Sequence, residues 1–246
     1  KDLEIIRDDL QFAKTHCTRQ KRLFLADGDV LILPQNRLVA LLTEIKETLV
    51  WVNKVSLYGS AKAVRSKSVS QLQELKSLGL DRIYMGLESG CDQVLAKVQK
   101  QQTSEQMIAA ANAVKEAGLF LSVTALLGLG GKELSVQHAL ETAITLNAMQ
   151  PNQIAVLTLM ITENTPLFHE MKSGEFKLLS PVEILKELYH LLDNLVDVRC
   201  QFHANHASSY LPLAGRLPRD REQLLDQIAM AIEGYITTVP EHKRAL

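Results

Sequence analysis

The sequence predicts an α/β protein, a partial barrel of βα units, and three observations support that class. Short apolar or β-branched runs alternate with amphipathic stretches of helical period, the pattern of parallel strands joined by crossover helices. The 246 residues, 46% of them hydrophobic, can bury a large core as one α/β barrel or as two smaller domains, and one barrel is the simpler reading. The run Arg82-Ile83-Tyr84-Met85-Gly86-Leu87-Glu88-Ser89-Gly90 is apolar until it ends on a carboxylate and two small residues. A strand buried on both faces opens in this way into the crevice where α/β proteins hold ligands.

Taken in order, Leu3, Ile5, Ile6, Leu10, Phe12 and Ala13 predict a helix from Leu3 to Thr18. Strand Arg22 to Ala26 follows, closed by the turn Asp27-Gly28-Asp29. Asn36 is the expected cap of a helix carrying Leu38, Val39, Leu41, Leu42, Ile45 and Leu49. Strand Lys54 to Tyr58 ends at Gly59-Ser60, and Ser68 caps a helix that stops at Gly79. Strand Arg82 to Leu87, a short helix Cys91 to Val98, and a helix capped by Thr103 and running to Gly118 come next. Strand Phe120 to Leu127 breaks into Gly128-Leu129-Gly130-Gly131, followed by helix Ser135 to Met149 and strand Gln153 to Met160. Beyond this the alternation fades. Ser180-Pro181 opens a helix to Val196, Arg199 to Leu217 reads as irregular, and a last helix spans Asp220 to Ile236. The expected division is a core over residues 1–170 and an extension over 171–246 that caps it.

A formal charge of -1 gives no basic field for nucleic acid, so small-molecule chemistry fits better. No apolar run approaches the roughly 18 residues that span a bilayer, and a cytoplasmic protein is expected. Cys17, Cys91 and Cys200 are too far apart in sequence for a disulfide framework or a clustered thiolate site, so reduced thiols are expected.

If the strands are parallel, their C-terminal ends share one mouth: Asp27 to Asp29, Tyr58 to Ser60, Glu88 to Gly90, Gly128 to Gly131 and Thr158 to Thr162. Carboxylates there accept from an amine or a ribose hydroxyl, and glycines admit the close approach of a planar base. That suits a nucleoside carrying a positive group. For each residue a plainer use stands beside this one. Glu88 can serve the dipole of the helix near Cys91, Asp27 and Asp29 can form an Asx turn, and Gly128 to Gly131 can be a simple loop.

Four segments carry a family resemblance: Phe24 to Asp29, Tyr84 to Gly90, Ala125 to Gly131 and Asn164-Thr165-Pro166-Leu167. In order and over nearly the whole chain they resemble the radical S-adenosylmethionine (radical SAM) enzymes, in particular the Fe-S oxidoreductases similar to oxygen-independent coproporphyrinogen III oxidase. The resemblance implies a partial (β/α)6 TIM-like barrel with a C-terminal helical appendage, lacking the family's first strand and cluster loop. It implies that Asp29, with Asp27 as competitor and Gly28 between them, lies near the methionyl amine of S-adenosyl-L-methionine. It likewise implies Glu88, with Ser89 beside it, near the ribose, and Gly128 bordering the adenine. Leu157 or Thr158 then lies beneath the cofactor, and Ser56 and Tyr58 line the same mouth. Asn205 or His206, in a tail segment covering the mouth, would touch the substrate.

The family's Cys-x3-Cys-x2-Cys motif, which holds a 4Fe-4S cluster, is absent from these 246 residues. The resemblance puts that motif upstream of a helix such as Leu3 to Thr18, so the cluster is expected only in a longer, full-length protein. There it would cleave the cofactor to methionine and a 5'-deoxyadenosyl radical, with an electron donor such as a flavodoxin or ferredoxin and an unidentified small-molecule substrate. This chain as given would then be inactive. The alternatives are a cluster-free barrel that binds an adenosyl ligand or a partner, and a lyase-type barrel using carboxylates.

Among the remaining residues, His203 and His206 lack the spacing of a helical metal site. His16, His138, His169, His190 and His242 are expected at the surface, Met85, Met107, Met149 and Met160 in the core, and Arg65-Ser66-Lys67 as a solvated charge cluster.

Overall fold

A computed structural model describes residues 3–245. Lys1 and Leu246, the outer bounds of the two expected domains, lie outside them. Seven strands fall in chain order in one sheet that begins at β1 and ends at β7: β1 (Arg22–Leu25), β2 (Lys54–Tyr58), β3 (Leu80–Glu88), β4 (Phe120–Leu127), β5 (Gln153–Thr158), β6 (Cys200–Ala204) and β7 (Leu213–Leu217). β1 with β2, β2 with β3, β4 with β5 and β5 with β6 pair in parallel, and β6 with β7 is antiparallel. The expected α/β class and the five strands read from the sequence are present.

The chain divides into two compact units, one running to Met85 and taking in Ala109–Leu121, the other comprising Gly86–Ile108 and everything from Ser122 onward. In the first unit, helices α1 (Leu3–His16), α2 (Gln35–Thr48), α3 (Ala61–Arg65) and α4 (Val69–Ser77) join β1 to β3. Leu38, Leu42 and Ile45 of α2 and Leu72 and Leu75 of α4 bury the apolar stripe that the sequence displays. Ser68 is the expected cap, and it also forms a capping box with Gln71. Asn36 is not a cap: α2 opens two residues earlier than expected, at Gln35 with Pro34 in the cap position, where proline's fixed φ and missing N–H are tolerated.

In the second unit, α5 (Asp92–Lys97) is followed by α6 (Ser104–Glu116), most of which belongs to the first unit. Then come α7 (Gly131–Met149), α8 (Pro166–Ser173), α9 (Pro181–Asp193) and α10 (Arg221–Ile232). α9 packs against both α7 and α10, burying Leu188, Leu191 and Leu192. Arg199 to Leu217 is not irregular. Cys200, Phe202 and Ala204 alternate inward along β6, and a Cβ at Gly215 on β7 would lie 3.1 Å from Asp220 Cβ and Leu224 Cδ1, so a larger residue there requires those side chains to shift. Residues 171–246 therefore contain two strands of the sheet as well as helices. Short α3 and α8 also went unread, since five and eight residues give too few turns for a period to show.

Candidate functional site

The first unit presents its candidate groups on turn chemistry. Asp27 Oδ1 accepts from the Gly28 N–H at 2.8 Å, an Asx-type contact at an exposed turn. The Asp29 carboxylate accepts from the Ser60 N–H at 3.1 Å and from the Ser60 hydroxyl at 2.6 Å, while Ser60 Oγ caps α3 through Ala63 N–H. Ser56 and Tyr58 share the more open face of β2, where Phe24, Tyr58 and Tyr84 form an edge-to-face cluster with centroids 4.9 to 6.0 Å apart. Lys67 is 9% exposed and donates to the Leu33 carbonyl at 2.9 Å. The charge cluster expected at Arg65-Ser66-Lys67 is thus solvated only at Arg65 and Ser66, because the lysine stem is long enough to fold inward. Burial lowers its pKa, and the nearby Asp29 charge offsets part of that shift.

The second unit presents its groups on strained backbone over a buried polar network. Glu88 has φ +61, and Ser89 N–H donates to the Leu87 carbonyl at 2.8 Å, closing a tight turn about the glutamate. Non-glycine residues take this conformation at a cost of about 1 kcal/mol or more, a strain that clusters at ligand sites. The Glu88 side chain folds back over Gly86, where any Cβ would collide with its carboxylate, and pairs with Lys100 Nζ at 3.1 Å. Lys100 is aimed by the end of α5: Gln99 N–H donates to Ala96 O and Lys100 N–H to Leu95 O, the two bonds of a Schellman motif, with Gln99 at φ +54 in place of the usual glycine. Both side chains of the pair remain about a quarter to a third exposed, at 30% and 26%.

Beneath the turn, Ser89 is fully buried and its hydroxyl meets His138 Nδ1 at 2.7 Å while accepting from Cys91 N–H. Gly90 N–H donates to Thr142 of the same α7. His138 Nε2 lies 3.1 Å from the Leu126 carbonyl, which assigns the proton to Nε2 and makes Nδ1 the acceptor from Ser89. His138 is therefore a core residue, 2% exposed, and the surface position expected for it does not hold. On α9, Glu187, 1% exposed, accepts from the Gly128 N–H at 2.6 Å and from the Ser135 hydroxyl through a short bond. Burial holds His138 down at about 4 and lifts Glu187 to about 7, so between those values the 3.6 Å approach of Nε2 to Oε1 is a contact of two neutral groups rather than an ion pair. Sequence reading missed Glu187. Its signal was a glutamate among the apolar positions Ile184, Leu185, Leu188 and Leu191 of an amphipathic helix.

Gly128, at φ +84 and 2.9 Å from Ile184 Cδ1 at its Cβ position, lines a cavity at the end of β5 together with Thr158. Leu157, half-buried, faces the other side of that strand. Asn205 and His206 are exposed on the turn after β6. His206 Nδ1 meets Ser208 Oγ at 3.0 Å, which in turn accepts from Thr158 N–H. Met85, Met107 and Met149 are fully buried, as expected of packing residues, whereas Met160 lines the cavity.

Among the described residues no three His, Cys, Asp or Glu side chains group as metal ligands. Cys17 is exposed, while Cys91 and Cys200 are buried thiols whose pKa values burial raises, that of Cys200 to about 12. These residues do not fit a 4Fe-4S cluster, which needs three neighbouring thiolates. No described helix is long and apolar enough to cross a membrane.

The fold and these groups define a mostly parallel α/β protein with ionisable side chains at its strand ends. A sequence model described as the radical SAM superfamily matches residues 1–143, more than half the chain, and the chain belongs to that superfamily. Its curated relatives include the heme chaperone HemW of Bacillus subtilis, 24% identical over 182 residues, which are 73% of this chain and 47% of that protein. A tRNA uridine(34) acetyltransferase of Methanocaldococcus infernus is 24% identical over 111 residues, 45% of this chain and 21% of its own length. The chain thus spans less than half the length of these curated relatives. Among solved structures, an N-terminally deleted archaeal Elp3 from M. infernus superposes with a TM-score of 0.62 at 14% identity, covering 94% of this chain and 59% of that one. The coproporphyrinogen III oxidase HemN of Escherichia coli, a radical SAM enzyme, superposes at 0.57 with 18% identity, covering 80% and 48%. At these identities the likeness shows the fold. Membership supports an enzymatic function, and the superfamily in general works with S-adenosylmethionine and a 4Fe-4S cluster.

Proposed function

We propose that this chain is the S-adenosylmethionine-binding portion of a radical SAM oxidoreductase, with the Glu88–Lys100 pair at its centre. The observation that carries the reading is the strained Glu88, held with its carboxylate over a bare glycine and beside a cation, at a parallel strand's C-terminal end inside the family-matched segment. Glu88 accepts from the ribose hydroxyls, and Lys100 offers a cation to the methionyl carboxylate. Ser89 fixes the turn from below. Asp29, or Asp27 across Gly28, accepts from the methionyl amine. Gly128 and Leu157 or Thr158 border the base, Ser56 and Tyr58 line the mouth, and Asn205 or His206 meets the substrate. When bound, the cofactor is the source of the radical. The chain's own work is to bind it, orient it and exclude water.

The cluster thiolates belong to residues other than those described, and the chain alone is inactive. An electron donor of the flavodoxin or ferredoxin kind, a small-molecule substrate and a cytoplasmic setting complete the reading, as does a capping role for residues 171–246. The unclustered cysteines favour a second reading, a barrel that binds an adenosyl ligand without catalysis. Titration calorimetry of the folded chain with S-adenosylmethionine tests both. Saturable binding lost at least tenfold in Glu88→Ala is expected, and a folded wild-type chain that takes up no cofactor would remove them together. Anaerobic treatment of a longer natural protein with iron and sulfide then separates them, since only the first reading yields 5'-deoxyadenosine.

A further inference from the structure

The second unit contains a cavity of about 430 Å³ at the end of β5, within the size range of small-molecule sites. Its walls are aliphatic and thioether side chains, among them Leu159 and Ile161 beyond β5, Met171 on α8, Leu178, and Ile184 on α9. Its polar corner is a cluster of Tyr210, Glu241 and Arg244. The Arg244 guanidinium donates through Nε to the Ser208 carbonyl at 2.7 Å and through Nη1 to the Tyr210 hydroxyl at 2.5 Å, and stacks 3.9 Å from the Tyr210 ring. Glu241 accepts from Nη1 with both oxygens, at 2.8 and 2.6 Å, and from the Tyr210 hydroxyl at 2.6 Å.

The two partners of this ion pair are held very differently. The Arg244 side chain is 3% exposed and is fixed by groups other than Glu241, whereas the Glu241 side chain is 67% exposed on a three-residue 3-10 turn. Glu241 can therefore swing into water at little cost. Arg244 cannot follow, and a buried guanidinium left facing an apolar cavity requires another anion. A carboxylate matches both donors, since the guanidinium presents parallel N–H groups and the Tyr210 hydroxyl stays protonated, its pKa raised to about 12 by burial and by Glu241.

We propose that this cavity binds an apolar molecule bearing a carboxylate, which displaces Glu241 from Arg244 and Tyr210, so that Glu241 closes the site when no ligand is present. The binding site requires no cofactor. Gly128 and Thr158, which the radical SAM reading sets beside the base, form one wall of the same cavity, so only its service as a substrate site next to that base rests on that reading.

Decanoate and 1-decanol, the same chain with and without the carboxylate, are the probes, titrated calorimetrically into the chain without S-adenosylmethionine. Decanoate is expected to bind about tenfold tighter than decanol. Glu241→Gln, which keeps the side chain's size but weakens its claim on Arg244, should tighten decanoate about fivefold and leave decanol unchanged. Met171→Trp should abolish binding of both by filling the cavity, with Leu178→Phe as the filling variant if the tryptophan perturbs folding. Equal affinity for the two probes, an unchanged decanoate affinity in Glu241→Gln, or no saturable decanoate binding by the folded chain would overturn the proposal. Each of these results is independent of whether S-adenosylmethionine binds.

Discussion

In the first unit the candidate carboxylates Asp27 and Asp29 rest on Gly28 and Ser60, groups at or near the surface and supplied by turns and one helix cap. In the second, Glu88 and Gly128 rest on Ser89, His138 and Glu187, all nearly or fully buried and two of them ionisable. Surface polar contacts contribute little to stability because water replaces them when they break. Buried ones are costly to leave unmade and tie the site to protonation. The two halves of the candidate machinery should therefore respond differently to mutation and to pH.

The largest expected effect is at Glu187. Replacing it with leucine removes the acceptor for the buried Gly128 N–H, and about 3 kcal/mol of stability should be lost, read as a lowered urea midpoint at pH 6. Glu187→Gln retains an acceptor oxygen and should lose about 1 kcal/mol or less. An equal loss in the two variants would mean that Glu187 contributes only packing.

The next effect is in pH dependence. Glu187 is raised from 4.5 to about 7, so its contribution to stability is complete below pH 4.5 and is lost as pH rises through 7. His138 is depressed from 6.5 to about 4, so its contribution is present above pH 6.5 and is lost as pH falls through 4. Between pH 4.5 and 6.5 the two slopes oppose one another. Relative to wild type, Glu187→Gln should gain stability with rising pH across that window by about 1 kcal/mol per unit, and His138→Asn should lose it at a similar rate. Parallel pH profiles for wild type and both variants would break the contrast between the units.

A smaller effect separates binding from stability. Gly86→Ala puts a methyl where the Glu88 carboxylate lies, and the end of that side chain can move aside. Stability should change by about 1 kcal/mol or less, yet S-adenosylmethionine affinity should fall about tenfold as Glu88 leaves Lys100. Intact affinity in a folded Gly86→Ala chain would detach the Glu88–Lys100 pair from the cofactor reading.

Much of the fold was legible because periodicity reports burial directly. The alternation of β1 to β5 and the caps at Ser68 and Ser180 are local signals, and the structure contains them. β6 and β7 were not legible. Arg199 to Leu217 mixes polar residues with its apolar ones, and its pairing is set by the neighbouring strand and by the close approach of Gly215 to α10. The strand-end groups could be read one at a time, but their supports could not. Ser89 meets His138 across 49 residues and Gly128 meets Glu187 across 59, and no local pattern encodes such distant partners. The same limit produced the surface reading of His138, which lies on a helix whose polar and apolar residues do not segregate clearly.

The smallest predicted effect is the test of the first unit. Asp29→Ala removes two acceptors from Ser60 but leaves Ser60 Oγ free to cap α3, and solvent reaches the turn, so about 1 kcal/mol should be lost. Asp29→Asn keeps an acceptor for Ser60 and removes the charge that offsets the burial of Lys67, so the lysine's pKa should fall further. Neither variant should alter stability versus pH between 4.5 and 6.5 in the manner of Glu187 and His138, because the partners that Asp29 loses are the N–H and hydroxyl of Ser60, which do not titrate there. A loss near 3 kcal/mol in Asp29→Ala would show that the first unit also rests its carboxylate on buried structure, and the distinction between turn-held and core-held ligand groups would fail at its weaker end.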